Sequence, residues 1–151
     1  MGAVTKTLYE TDFVEWTERT AALLRAGRFD EADIEHAAEE IEDLGRSERS
    51  AVASQLHRML KHLAKKRIQP ERDGTSWRRS ITDGREEVEY RFDDSPSLRR
   101  YAEENLQKIY RRAVRDALAE AGLTAQRAAL DLPAECPYSL TDLIEGESGP
   151  E

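Results

Sequence analysis

Residues Asp33 to Ile68 read DIEHAAEEIEDLGRSERSAVASQLHRMLKHLAKKRI, and the fold turns on whether Gly45 breaks that run. Apolar residues recur through it with helical spacing at Ile34, Ala37, Ala38, Ile41, Leu44, Val52, Leu56, Met59 and Leu63. Ile34 and Leu63 lie 29 positions apart, about eight turns at 3.6 residues per turn, so the stripe crosses Gly45 in phase. Two separate helices would have no cause to keep that phase. The spacing therefore predicts one long helix over about 33–68, roughly 50 Å long and bent, if anywhere, at Gly45. Gln69-Pro70 ends it, because proline lacks the N–H that the next turn needs.

Upstream, Thr11 or Asp12 caps a helix whose apolar side is Phe13, Trp16, Thr17, Thr20, Leu23 and Leu24, stopped by Gly27. Downstream, Ser76 is the expected N-cap of a third helix carrying Trp77, Ile81, Gly84, Val88 and Phe92. Ser95 then caps a fourth, with Pro96 at its first position and Leu98, Ala102, Leu106, Ile109, Ala113 and Ala117 on one side before Gly122. A short turn is expected near 124–130, and Ser139 with Asp142 forms a capping box before Leu143 and Ile144. No strand-like alternation occurs. The expected fold is all-α, an antiparallel helix bundle of about four main helices, one long, plus a short C-terminal helical turn. One domain over 9–145 is expected, with flexible ends at 1–8 and 146–151. Its core should include Trp16, Leu24, Ile41, Val52, Leu56, Leu63, Trp77, Val88 and Ile109.

Composition fits long solvated helices around a slim core: of 151 residues 38% are hydrophobic and 36% charged, the latter against about 25% in ordinary globular chains. A net charge of −8 disfavours a generic binder of nucleic acid or anionic membrane. No run approaches a membrane span, and residues 1–12 lack the basic and apolar regions of a signal peptide, so a cytoplasmic location is expected. The single cysteine, Cys136, excludes an internal disulfide and a cysteine-built zinc site. Beside the acidic tail it reads as a packing residue.

An ordered set of motifs resembles one family. They are Asp12-Phe13, Trp16, Leu24 to Asp30 (LRAGRFD), Glu39 to Glu42 (EEIE), Leu44 to Arg49 (LGRSER), Gln69-Pro70, Ser76-Trp77, Arg85, Ser95 to Arg99 (SPSLR) and Cys136 to Leu140 (CPYSL). Together they resemble the bacterial family catalogued as domain of unknown function 29, over about Tyr9 to Glu145. Leu132-Pro133 stands where members often carry Phe-Pro, a conservative departure. The resemblance implies an all-helical bundle and brings no established activity, cofactor or catalytic residue.

Three groups of residues could carry function. On a helical wheel from Ile34, His36 and His57 fall on the outer face at about 200° and 140°, whereas His62, Gln55 and Glu48 fall at about 280°, 300° and 320°, on the edge of the apolar stripe. These three form the candidate acid/base or metal-dependent site, against a structural hydrogen-bond network. Heptad spacing puts them about 10.5 Å apart along the axis, too far to share one metal without ligands from Asn105, Asp116 or Glu120, and no familiar metal spacing supports those. No metal site or cofactor is assigned. A second group, Glu35, Glu39, Glu40, Glu42 and Asp43 with Arg46 and Arg49, reads as an ion-pair ladder. The third is a basic centre between acidic ends: Lys61, Lys65, Lys66, Arg67, Arg78 and Arg79 could grip phosphates. Part of it also complements the C-terminal end of the long helix.

Three functions follow. The leading one is a non-enzymatic protein-interaction module serving a protein partner or self-association, since no catalytic spacing is present. The others are an enzyme site around His62 and nucleic-acid binding through the basic centre.

Overall fold

A computed structural model describes residues 5–146. Helices run over α1 Leu8–Thr11, α2 Phe13–Arg25, α3 Ile34–Ile68, α4 Thr75–Asp94, α5 Ser97–Ala121 and α6 Leu140–Glu145, with short stretches of tighter helix at Pro70–Arg72 and Thr124–Ala129. No strand occurs among the described residues, and the fold is an all-α bundle. Of the ends expected to be flexible, 1–4 and 147–151 lie outside the described residues, while Leu8 already opens α1.

α3 is one helix of 35 residues. It passes through Gly45, where an added Cβ would meet nothing within 4 Å, so packing does not require glycine there. The Asp12 carboxylate accepts from the Glu15 N–H at 3.0 Å to start α2, and the expected Ser139–Asp142 box starts α6. Gly122 ends α5 in the left-handed conformation, φ 69°, which glycine adopts without a Cβ penalty. α4 begins earlier than expected: Gly74 is its N-cap, and Ser76 lies inside the first turn.

The described residues divide into two compact units between Arg46 and Ser47. The first has a very small interior, with only Trp16 and Thr20 fully buried. Polar contacts hold it together. The Trp16 indole N–H donates to Asp33 at 3.1 Å, the same carboxylate oxygen meets His36 Nδ1 at 2.6 Å, and the Tyr9 hydroxyl donates to Glu40 at 2.5 Å while its ring stacks on His36 at 3.9 Å. His36 therefore sits against α1, not on the outer face where the wheel placed it. α1 itself, four residues long, is too short to show a period.

The second unit holds the main core. Val52, Leu56, Met59, Leu60 and Ala64 of α3 meet Val88 and Phe92 of α4, the inner side of α5, and Leu140, Leu143 and Ile144 of α6. α5 buries two neighbouring stripes, the expected one and a second made by Tyr110, Val114 and Leu118. The second stripe arises because segment 130–138 also packs on this core through Leu130, Leu132, Cys136 and Tyr138. There the Tyr110 hydroxyl donates to the Pro133 carbonyl at 2.7 Å, and the Cys136 N–H to Gln107 at 2.9 Å. Arg85 of α4 fixes α6 by donating from Nε to the Leu143 carbonyl at 2.8 Å.

Part of the expected core is not core. Ile34, Ile41 and Leu44 are 48%, 68% and 69% exposed, and Leu24, Leu63 and Trp77 are half-buried. Periodicity identifies the side of a helix that can be covered; here, from 41 to 50, every residue is exposed.

Candidate functional site

The exposed stretch of α3 is the first candidate. Ile41 and Leu44 share one helix side, and charged residues fill most other positions around them: Glu39, Glu40, Glu42, Asp43, Arg46, Glu48 and Arg49. Arg46 pairs with Asp43 and, at 3.6 Å, with Glu42. The Arg91 guanidinium donates to Glu48 at 2.6 Å and to Glu87 at 2.9 Å, and those carboxylates raise its pKa. Glu42, Asp43, Arg46 and Glu48 are thus paired locally, leaving two branched apolar side chains bare among the charges. Phe13, Val14 and Phe29 of the same N-terminal unit are also exposed. Such exposure of large apolar side chains marks an interaction surface when it is concentrated.

The residues expected to form an enzyme site do not come together through hydrogen bonds. Glu48 is exposed and bound to Arg91. Gln55 Oε1 and His62 Nδ1 are each buried with no hydrogen-bond partner among the described residues. The His62 ring instead packs on Trp77, centroids 6.1 Å apart, and Lys65 Nζ lies 5.8 Å from the same indole. Burial first, then the charges of Lys65, Lys61 and Arg58, lowers the His62 pKa below its ordinary 6.5.

His57, which the wheel placed outside, bonds α5: its Nε2 lies 2.8 Å from Asp116 Oδ2, and this contact holds the Asp116 carboxyl below the usual range. The wheel measured from the centre of the apolar stripe and missed how far α5 reaches around α3. The pair opens on a groove of about 310 Å³ lined also by Ser50, Ser54, Ile109 and Arg112. No hydrogen bond joins either serine to His57 among the described residues, so the groove holds an imidazole–carboxylate pair without an activated hydroxyl.

Half of the basic centre is paired within its own chain. Lys61 meets Glu120 at 2.8 Å, Lys65 meets the other oxygen of that carboxylate, and Lys66 lies 3.5 Å from Asp73. Both lysines hold Glu120 below the usual carboxylate range. Arg67, Arg78 and Arg79 are exposed. Arg79 lines a second groove, of about 450 Å³, with Arg58, Thr75, Ser76, Ser80 and Asp83.

Among the described residues no group of three or more His, Cys, Asp and Glu side chains is placed to hold a metal ion, and no helix is long and apolar enough to cross a membrane. The family model described as Domain of unknown function DUF29 matches residues 8–147, and the chain belongs to that family. No curated protein and no solved structure matches the chain.

Proposed function

We propose that this member of the DUF29 family is a non-enzymatic protein-interaction module that presents the first half of α3 to a protein partner. One observation carries the proposal: Ile41 and Leu44, 68% and 69% exposed, lie in phase with the buried stripe of the same helix. Covering each would contribute about 1.5–3 kcal/mol. The surrounding charges would supply selectivity and speed of encounter more than affinity. The two rival readings have less support. Glu48 bonds Arg91, His62 packs on Trp77, the buried Gln55 Oε1 has no hydrogen-bond partner among the described residues, and the acids Glu120 and Asp73 already occupy half of the basic centre.

Affinity capture from cells that make the protein tests this, with the wild type set against an Ile41→Glu/Leu44→Glu variant of unchanged helicity. Proteins retained by the wild type and lost by the variant are expected. The same retained set for both would contradict the proposal.

A further inference from the structure

The edge where α3 meets α5 is a ladder of polar pairs with one rung incomplete. His57 meets Asp116 at 2.8 Å and Lys61 meets Glu120 at 2.8 Å, each pair 59 positions apart, so the two helices run parallel here with matched turns. In both rungs α3 supplies the nitrogen and α5 the carboxylate. One turn toward the N-termini, the same offset sets Arg112 of α5 level with Ala53 of α3, whose side chain has no polar atom, between Ser50 and Ser54. The cation now comes from α5, and α3 answers it with hydroxyls only. Asp116, one turn along α5, is engaged through both oxygens, by His57 at 2.8 Å and Arg115 at 3.2 Å. Arg112 has no acidic partner among the described residues.

This rung opens on the groove of about 310 Å³, at the small end of the about 300–1,000 Å³ of ligand pockets. The groove lies wholly in the second unit. It sets the Arg112 guanidinium and the Ser50 and Ser54 hydroxyls beside apolar carbon from Ala53 and Ile109. We propose that the groove binds a small organic carboxylate, whose anion completes the Arg112 rung while its apolar body lies against Ile109 and Ala53. Arg112 favours a carboxylate because its planar fork matches two oxygens in one plane. The serine hydroxyls donate to the same anion. A phosphate monoester fits less well, since its second negative charge would stand about one turn from Asp116, which His57 and Arg115 keep ionised. The site does not involve Ile41 or Leu44, so it goes beyond the interaction reading and does not depend on it.

Amide NMR of the isotope-labelled full chain, titrated with benzoate, tests the assignment. Benzoate should shift the amides of 50–57 and 109–116 saturably, with a dissociation constant in the low millimolar range or below. Benzamide, the same ring without the charge, should not shift them, and phenyl phosphate should bind no more tightly than benzoate. Arg112→Gln should weaken benzoate binding by at least about tenfold, through loss of a charge-assisted hydrogen-bonded pair. Arg111→Gln removes an equal charge at the next exposed position, outside the groove, and should leave binding unchanged. The spectrum of each variant without ligand shows whether it is folded. Ile41→Glu/Leu44→Glu should bind benzoate as the wild type does, so failure here and failure of the interaction reading are separate results. No saturable shift with benzoate, an equal shift with benzamide, equal losses from both arginine variants, or tighter binding of phenyl phosphate overturns the assignment.

Discussion

Gly84 of α4 approaches Met59 of α3 so closely that a Cβ at position 84 would lie 2.7 Å from Met59 Cγ and 3.2 Å from its sulfur. Both positions are buried, and Val88, one turn along α4, is fully enclosed. The glycine therefore sets the distance between the two helices, and a side chain there must displace Met59 from the centre of the core.

Gly84→Ala should destabilise the protein by about 1–3 kcal/mol, the usual range for overpacking a close contact. Gly45→Ala is the control. It adds a methyl in open space inside a helix, where alanine is favoured by about 1 kcal/mol. Urea denaturation of both variants checks the contrast; equal effects would mean that the helix spacing does not depend on Gly84.

Leu56 and Ile41 occupy the same apolar stripe of one helix, yet Leu56 is fully buried and Ile41 mostly exposed. Leu56→Ala should cost about 2–5 kcal/mol, as large-to-small changes in a closed core do. Ile41→Ala should stay within about 0.5 kcal/mol, as surface substitutions do. Measuring both by denaturant unfolding at low micromolar concentration separates folding from association.

Much of the fold was legible in the residues. The phase shared by Ile34 and Leu63 predicted α3 through Gly45, and the Asp12 and Ser139 caps predicted helix starts, since both signals are local. Long-range cover was not legible. Nothing in the spacing of Ile41 and Leu44 distinguishes an apolar side that meets the core from one that meets solvent. The dense charges between them were the available sign. His57 and Tyr110 were missed differently: the wheel put His57 on the outer face and Tyr110 lies beside the expected stripe of α5, and only the reach of α5 and of segment 130–138 brings a partner to each. Glu48, Gln55 and His62 share a wheel sector, but Glu48 bonds Arg91, His62 packs on Trp77 and Gln55 Oε1 has no hydrogen-bond partner among the described residues.

His62 makes stability depend on pH. Its folded pKa lies below the unfolded 6.5, so between those two values the unfolded chain binds more protons. Stability should be complete above about pH 6.5 and fall as pH drops through that window. His62→Phe keeps an aromatic ring against Trp77 and removes the unpartnered Nδ1, so it should be neutral or stabilising. The difference in unfolding free energy between variant and wild type should grow from pH 7.5 to pH 5. A constant difference would show that His62 does not titrate differently on folding.

Arg85 ties α6 to α4 through the Leu143 carbonyl. Arg85→Met keeps the aliphatic stem and deletes the donor, and should cost about 1–2 kcal/mol for the lost bond and its stranded acceptor. Hydrogen exchange should accelerate over 140–145 first, with α5 protected as before. Uniform acceleration across the second unit would instead make Arg85 a determinant of the whole core.

The central claim is that protein covers Leu44 in the cell. Replacing Leu44 with the photo-cross-linking residue p-benzoylphenylalanine, and irradiating intact cells, measures this most directly. The account predicts discrete cross-linked products of higher mass than the chain, and none from the same probe at exposed Asp94. Equal background from both positions, with the chain otherwise at its own mass, would contradict it.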